Sequence, residues 1–594
     1  MAQLSRRVVV RSLLGGTALA AAGAYLGTAN SARGTTLAPL PDLLPAVNLS
    51  PLIFHSPRVR PFIDALPRLP VLTGSTLTVA AAVSSHRFHA ELGTSPSFGY
   101  AGASYLGPVI EAHSGHPTVL TLRNSLARHV FANDIDTTLE GASATDRTAP
   151  RSVLHLHGGA NPPASDGHPQ ATILPQQAFT HTFPNRQEAC MLWYHDHAMG
   201  ITRLNVYAGL AAPYLLRDRW DTGQPGNPLG LPAGEFEIPL VLQEKIFTAD
   251  GAQSVRSTPV VPQGSWEGGA VGDVGLVNGV AWPYADVARG LYRLRIVNAA
   301  SFSVWNLFFS NGMPFWVIGT DGGLLDAPVP TTSVQLAPAE RIDVLVDFGL
   351  VPAGSTVELR NNAPAPGQAA ILGEVPMPVF CRFQVTPATG FTGPVPARLR
   401  GGTGRPAPLP APARPQAVRN LTVSQLLEVR IPPAIMVLNN LMFGSADIET
   451  PRQGTVEQWN LINTTTDPHP IHVHLVNFRI LGRQPFDANA YQQRYPRPAM
   501  GTRWTPPADA FVTGPLQPAD PTEAGWKDTV RLDGNTITRI IVRFPNAAEL
   551  QFDPDATFPA PTVGMGTLQG YVWHCHVLDH EDHDMMLRYR VPAA

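Results

Sequence analysis

Trp573-His574-Cys575-His576-Val577-Leu578-Asp579-His580, with Met585 five residues beyond it, is the stretch that decides how this chain is read. A thiolate, imidazoles and a thioether form the soft ligand set that selects copper. A trigonal site of that kind with a weak axial Met is a blue-copper electron-transfer centre. The stretch reads as the chain's last strand. Neighbours on an extended strand point to opposite faces. Cys575 can therefore serve one metal while His574 and His576 reach across to another. One short piece of backbone then joins two centres.

Three further clusters stand upstream: His155-Leu156-His157-Gly158, Trp193-Tyr194-His195-Asp196-His197 and His469-Pro470-Ile471-His472-Val473-His474. Each contains a His-x-His pair, whose side chains share one strand face. Ten of the nineteen histidines fall in the four clusters, and structural histidines do not gather in this way by chance.

With these clusters, the stretches His155 to Asp166, Trp193 to Gly209 and Trp526 to Thr529 make the chain resemble a multicopper oxidase. The type is that of the bacterial laccases and bilirubin oxidases, close to the spore-coat laccases. The likeness runs from about residue 48 to the end. It implies an all-β protein of three cupredoxin-like Greek-key β-sandwich domains. It also implies four copper ions, one type 1, one type 2 and a type 3 pair. Carried over residue by residue, the resemblance makes His469, Cys575 and His580 the type 1 ligands, with Met585 axial. His155 and His472 match the type 2 ligands. His157, His195 and His576 match one type 3 copper, and His197, His474 and His574 the other.

At 594 residues the chain is too long for one core, so several domains are expected. Its net charge is -3 and no basic stripe points to nucleic acid. Gly and Pro are frequent and charge is sparse, which favours an all-β protein with many turns. Lys occurs only at 245 and 527, a bias that a GC-rich genome explains. Cys190 and Cys381 fall in different expected domains and read as buried thiols.

Ser5-Arg6-Arg7-Val8-Val9-Val10-Arg11, an apolar run to Leu26 and small residues through Ala32 resemble a twin-arginine export signal over 1–32. That implies the twin-arginine machinery as a partner and a periplasmic or extracellular location. The run is too short and too rich in Ala and Gly for a stable membrane span in the mature form. Residues 33–70 read as an extended arm on the first domain. Strand-like runs then suggest cupredoxin domains at 48–220, 235–390 and 421–594, with a Pro- and Gly-rich surface linker at 391–420. The copper motifs fall only in the first and third domains. A shared trinuclear centre therefore belongs at their interface, and the middle domain reads as a spacer that also walls the substrate side.

Reducing dioxygen to water takes four electrons, and organic donors give them singly. Cys575 with its flanking histidines supplies the covalent route between the collecting copper and the cluster. His580 is the point of electron entry, by resemblance. Glu581 and Asp166 match acidic positions that the family uses near the oxygen channel, and they read as proton donors. Asp196, Asp579, Asp582 and Asp584 are further acids within the motifs. His583 reads as a surface residue, and His113, His116, His168 and His181 as bland. The implied donor is a small aromatic molecule, a phenol, an aminophenol or a similar bulky donor including bilirubin. The alternative is oxidation of cuprous or manganous ions. The scattered methionines form no Met-rich insert for it. A copper-free cell-division relative lacks the ligands that this chain retains. A two-domain nitrite reductase lacks the His195-x-His197 pair and the second histidine of His574-Cys575-His576.

Overall fold

Alternation of apolar and polar residues builds this chain into strands, which pair in the computed structural model as three couples of sheets. The described residues are 50–366, 377–426, 435–562 and 566–593. The export-signal stretch 1–32 lies outside them.

Strands between Val71 and Arg217 form the first couple, a five-stranded and a four-stranded sheet around one apolar core. Strands between Glu237 and Thr389 form the second, and those between Ala417 and Tyr589 the third. The sheets are mixed. Thr118–Ser125, for example, pairs parallel with Thr76–His86 and antiparallel with Ala178–Phe183, so crossovers link the layers. This is the cupredoxin-like β-sandwich architecture expected from the sequence.

Four local expectations need correction. Residues 471–481 read in sequence as one continuous strand-like run. The chain instead makes His469–Val473 in one sheet and Phe478–Pro485 in the facing one, turning at Leu475 with φ at +68°. The stretch Tyr571–Cys575 is not the last strand either. A short helix, Leu578–Glu581, follows it, and strand Met586–Tyr589 then pairs back against it. His576 lies just past the strand end. The arm, where described, lies mostly along the second couple of sheets. Phe62, Leu66 and Phe54 donate backbone N–H groups to Trp282, Tyr284 and Ser257 carbonyls. The arm thereby covers the edge strand Tyr284–Arg289, which would otherwise leave ladder groups unpaired. Finally, the 391–420 stretch is pinned down: Leu399 is buried, Arg400 pairs with Glu188, and strand Ala417–Leu426 begins within it. No helix among the described residues is long and apolar enough to cross a membrane.

Candidate metal centre

Strand parity sorts the ligand candidates. In Leu154–His157, Leu154 and Leu156 enter the first core and His155 and His157 face the other way. In Tyr571–Cys575, residues Tyr571, Trp573 and Cys575 enter the third core while His574 faces out. In His469–Val473, Ile471 and Val473 enter that same core and His472 faces out. The register sets His472 opposite His574, and in the first couple His155 opposite His195. Alternation thus leaves Cys575 inside a sandwich and delivers imidazoles to its outer face.

Inside the third core, His469, Cys575 and His580 bring their ligand atoms within 4.8 Å of one another. Sγ of Cys575 lies 3.5 Å from Nδ1 of His469 and 3.8 Å from Nδ1 of His580. The outer nitrogens are anchored. Nε2 of His469 pairs with the Thr465 hydroxyl at 2.9 Å, and Nε2 of His580 donates to the Gly268 carbonyl at 3.0 Å. Each Nδ1 therefore turns a lone pair toward the point that Sγ also faces, which suits a soft cation. Burial drives the His469 pKa down to about 3 and pushes that of the Cys575 thiol up. A thiolate at neutral pH here requires a bound cation to offset it. Met585 is fully buried in the same apolar cluster, and its carbonyl accepts from Cys575 N–H at 2.9 Å. His580 is only 2% exposed. Gly268, the Phe302 ring and Trp266, whose indole N–H donates to the Asp579 carbonyl, cover it.

On the outer face, eight imidazoles from the first and third couples converge. The tight groups are His155 with His157 and His195; His155 with His472 and His474; and His197 with His474 and His574. The His576 ring packs 5.0 Å from His157 and 5.2 Å from His195, centroid to centroid. Nearly every ring has one nitrogen held from outside. Nδ1 of His155 meets the Asp166 carbonyl, Nδ1 of His195 the Asp196 carbonyl, and Nδ1 of His574 the Cys575 carbonyl. The buried nitrogens left without a hydrogen-bond partner include Nε2 of His155, His195, His197 and His472 and Nδ1 of His157. Buried polar groups are almost always paired. A convergent set of unpaired lone pairs fits metal ions, and imidazole suits copper.

Carboxylates surround this cage. Asp166 accepts from Nδ1 of His474 at 2.7 Å, so it holds two of the imidazoles, one by backbone and one by side chain. Glu581 lies 3.2 Å from Nδ1 of His197 and 3.1 Å from Nδ1 of His574. Burial raises the pKa of the Asp166 carboxyl well above its ordinary range and that of Glu581 to about 7. The side chains of the other motif acids bond outside the cage. Asp196 accepts from Ser152, Val153, Ala198 and Asn205. Asp582 accepts from the N–H groups of Thr202 and Arg203, and Asp579 lies beside Arg203. Asp584 accepts from Phe443 N–H. His583 is half-buried against Trp266, with ring centroids 4.2 Å apart, rather than a surface residue. His168 and His181 are buried, each among phenylalanine rings and apart from the cage.

Sequence reasoning gave no role to Asp528 or Arg341. Asp528 accepts from Nε2 of His157 at 3.1 Å and is clamped by both terminal nitrogens of Arg341. The only signal in the sequence was Trp526-Lys527-Asp528-Thr529, which carries one of the chain's two lysines. All three cysteines are unpaired and buried.

Comparison with known proteins agrees with this geometry. The multicopper oxidase family matches residues 143–221, 267–354 and 411–594. The chain is 33% identical to a laccase of Bacillus subtilis over 550 residues, covering 88% of this chain and 97% of that one. It is 32% identical to the multicopper oxidase LPR1 of Arabidopsis thaliana over 580 residues, covering 91% and 94%. The crystal structure of the McoA multicopper oxidase from Aquifex aeolicus superposes with a TM-score of 0.68 at 25% identity, covering 89% and 99%. With three matched family segments, laccase-like identity along nearly its whole length and the two histidine centres built as described, the chain belongs to the multicopper oxidases.

Proposed function

We propose that this enzyme oxidises phenolic, aminophenolic or similar bulky organic donors one electron at a time and reduces dioxygen to water with four copper ions. The observation that carries the reading is the single stretch His574-Cys575-His576, which joins a thiolate site inside one sandwich to an eight-imidazole cage on its outer face. His469, Cys575, His580 and Met585 are the ligands of the mononuclear site. The cage splits as the family resemblance implies: His155 and His472; His157, His195 and His576; His197, His474 and His574. Copper held there would supply one-electron oxidation at the first site and dioxygen reduction at the second. The chain's own groups do the rest. Cys575 links the sites through two peptide neighbours. Glu581, with its pKa at about 7, holds a proton at its carboxyl near neutral pH, beside His197 and His574. Asp166 holds a second proton source beside His474. Donors meet His580 through the Trp266 to Gly269 cover, not by direct contact. The test is oxygen uptake by the copper-loaded enzyme with a donor panel. Uptake with no aromatic donor would refute the reading.

One observation favours the alternative, oxidation of cuprous or manganous ions. Two acids lie in the segments that meet at the His580 cap: Glu267, next to Gly268, accepts from Ser257, and the Asp579 carboxylate accepts from Ala270 N–H; burial, with the Asp579 charge adding to it, pushes the Glu267 pKa up to about 7. Glu267→Gln discriminates. It lowers kcat/KM for metal ions and spares aromatic donors if the alternative holds.

We also propose export by the twin-arginine route. Arg6→Lys with Arg7→Lys should abolish activity in the extracytoplasmic fraction, because that signal is read by a receptor and not by charge alone. Unchanged fractionation would refute it.

A further inference from the structure

The middle couple of sheets carries no member of the histidine clusters, yet one of its residues reaches the cage. Arg341 opens strand Arg341–Asp347 and is 1% exposed. Its guanidinium touches all three couples of sheets. Nε donates to the Met191 carbonyl of the first at 3.1 Å and NH1 to its own couple's Ala339 carbonyl at 3.0 Å. Both terminal nitrogens clamp Asp528 of the third, NH1 at 2.7 Å. Asp528 in turn accepts from Nε2 of His157, whose Nδ1 is the nitrogen without a partner.

The clamp is itself framed. Asp321 accepts the backbone N–H of Arg341 through one carboxylate oxygen and those of Asp528 and Thr529 through the other. Lys527 bridges Asp321 and Glu340, 3.0 Å from each. The cage wall closes directly on the pair. Gly158, next to His157, has φ at +84°, and a Cβ there would lie 2.5 Å from Oδ2 of Asp528 and 2.7 Å from NH2 of Arg341.

We propose that Arg341 is a positioning residue for the cage: it fixes Asp528, and Asp528 fixes His157 with Nδ1 turned inward. This rests on His157 being a copper ligand. Buried ion pairs contribute little net stability because desolvation offsets their attraction. What a bidentate guanidinium–carboxylate clamp supplies is geometry. Carboxylates behind ligating imidazoles set tautomer and orientation, and losing one costs about 10- to 100-fold in metal affinity. The middle couple of sheets is then more than a spacer, since it holds a cage ligand in place through a partner in another unit.

The experiment uses the full copper-loaded chain and the variants Arg341→Met, Arg341→Lys, Asp528→Asn and His157→Ala. Copper per chain, the blue absorbance and the paramagnetic resonance of the cage copper are followed against a chelator. Arg341→Met and Asp528→Asn should release cage copper at about 10- to 100-fold lower chelator concentration, with the blue absorbance unchanged. Arg341→Lys should fall between them and wild type, because an ammonium cannot clamp both oxygens. Cage copper as tightly held as in wild type overturns the proposal. So does blue absorbance lost in step with cage copper, since that would mark a general loss of fold. Should Arg341→Met fail to fold, the isosteric Asp528→Asn decides. If both fail, the pair holds the fold and the proposal falls. His157→Ala tests the underlying reading separately: cage copper retained there removes His157 from the ligand set whatever Arg341 does.

Discussion

The site around Cys575 draws His469, Cys575, His580 and Met585 from one couple of sheets and sits inside its apolar core. The cage draws His155, His157, His195 and His197 from the first couple and His472, His474, His574 and His576 from the third. A hydroxyl holds Nε2 of His469 and a backbone carbonyl holds Nε2 of His580. Around the cage, Asp166, Asp528 and Glu581 each stand within 3.2 Å of an imidazole nitrogen. The difference matches two tasks. A site that only passes electrons gains from a dry, rigid core where charge changes move little. A site that consumes protons needs acids whose pKa values lie near neutrality. An intra-unit site should also outlast an inter-unit cage when the units loosen.

Four variants test this contrast, beginning with the largest effect. Cys575→Ser should abolish the blue absorbance and the oxidase activity while the fold, followed by circular dichroism, persists; a blue variant ends the assignment. Glu581→Gln should slow reoxidation by oxygen about 100-fold and leave anaerobic decolourisation by donor unchanged. Stopped-flow reoxidation at the wild-type rate would separate Glu581 from the chemistry. Buried histidines outside both sites give a third comparison. The pKa values of His129 and His181 are driven down to about 4 by burial, so the native state refuses protons that the unfolded chain accepts. Stability is full above about pH 6.5 and falls as pH drops toward 4, by about 3 kcal/mol for each histidine. His129→Gln should flatten that decline in thermal melts; an equal slope would show that His129 does not contribute to it. The smallest effect is that of Met585→Leu, which should keep the protein blue and raise the potential of the mononuclear site in redox titration. An unchanged potential makes Met585 a packing residue.

Much of the cage was legible because period-two alternation is local. His155 and His157, or Cys575 between His574 and His576, declare their faces within three residues. What alternation cannot see is where a strand stops. His576 falls past a strand end, and the run from Ile471 breaks at Leu475. Contacts between units were hidden for a different reason. Arg341 meets Asp528 across 187 positions, and a lone arginine heading an apolar strand carries no sign of its partner. The Gly268 cap on His580 was hidden too, because a backbone carbonyl has no sequence signature. Asp166 and Glu581 could be named from their distance to the ligands, but the imidazoles they touch could be assigned only from the folded chain.

One chain builds two metal-ligand sets of unlike construction, joined at Cys575. Copper analysis of the purified, loaded protein alongside Cys575→Ser, with paramagnetic resonance on both, tests it most directly. Four coppers per chain are expected in wild type, two of them visible as one mononuclear and one cage signal. Three are expected in the variant, with the mononuclear signal gone and the cage signal intact. Loss of both signals together, or a variant that still holds the mononuclear copper, would contradict it.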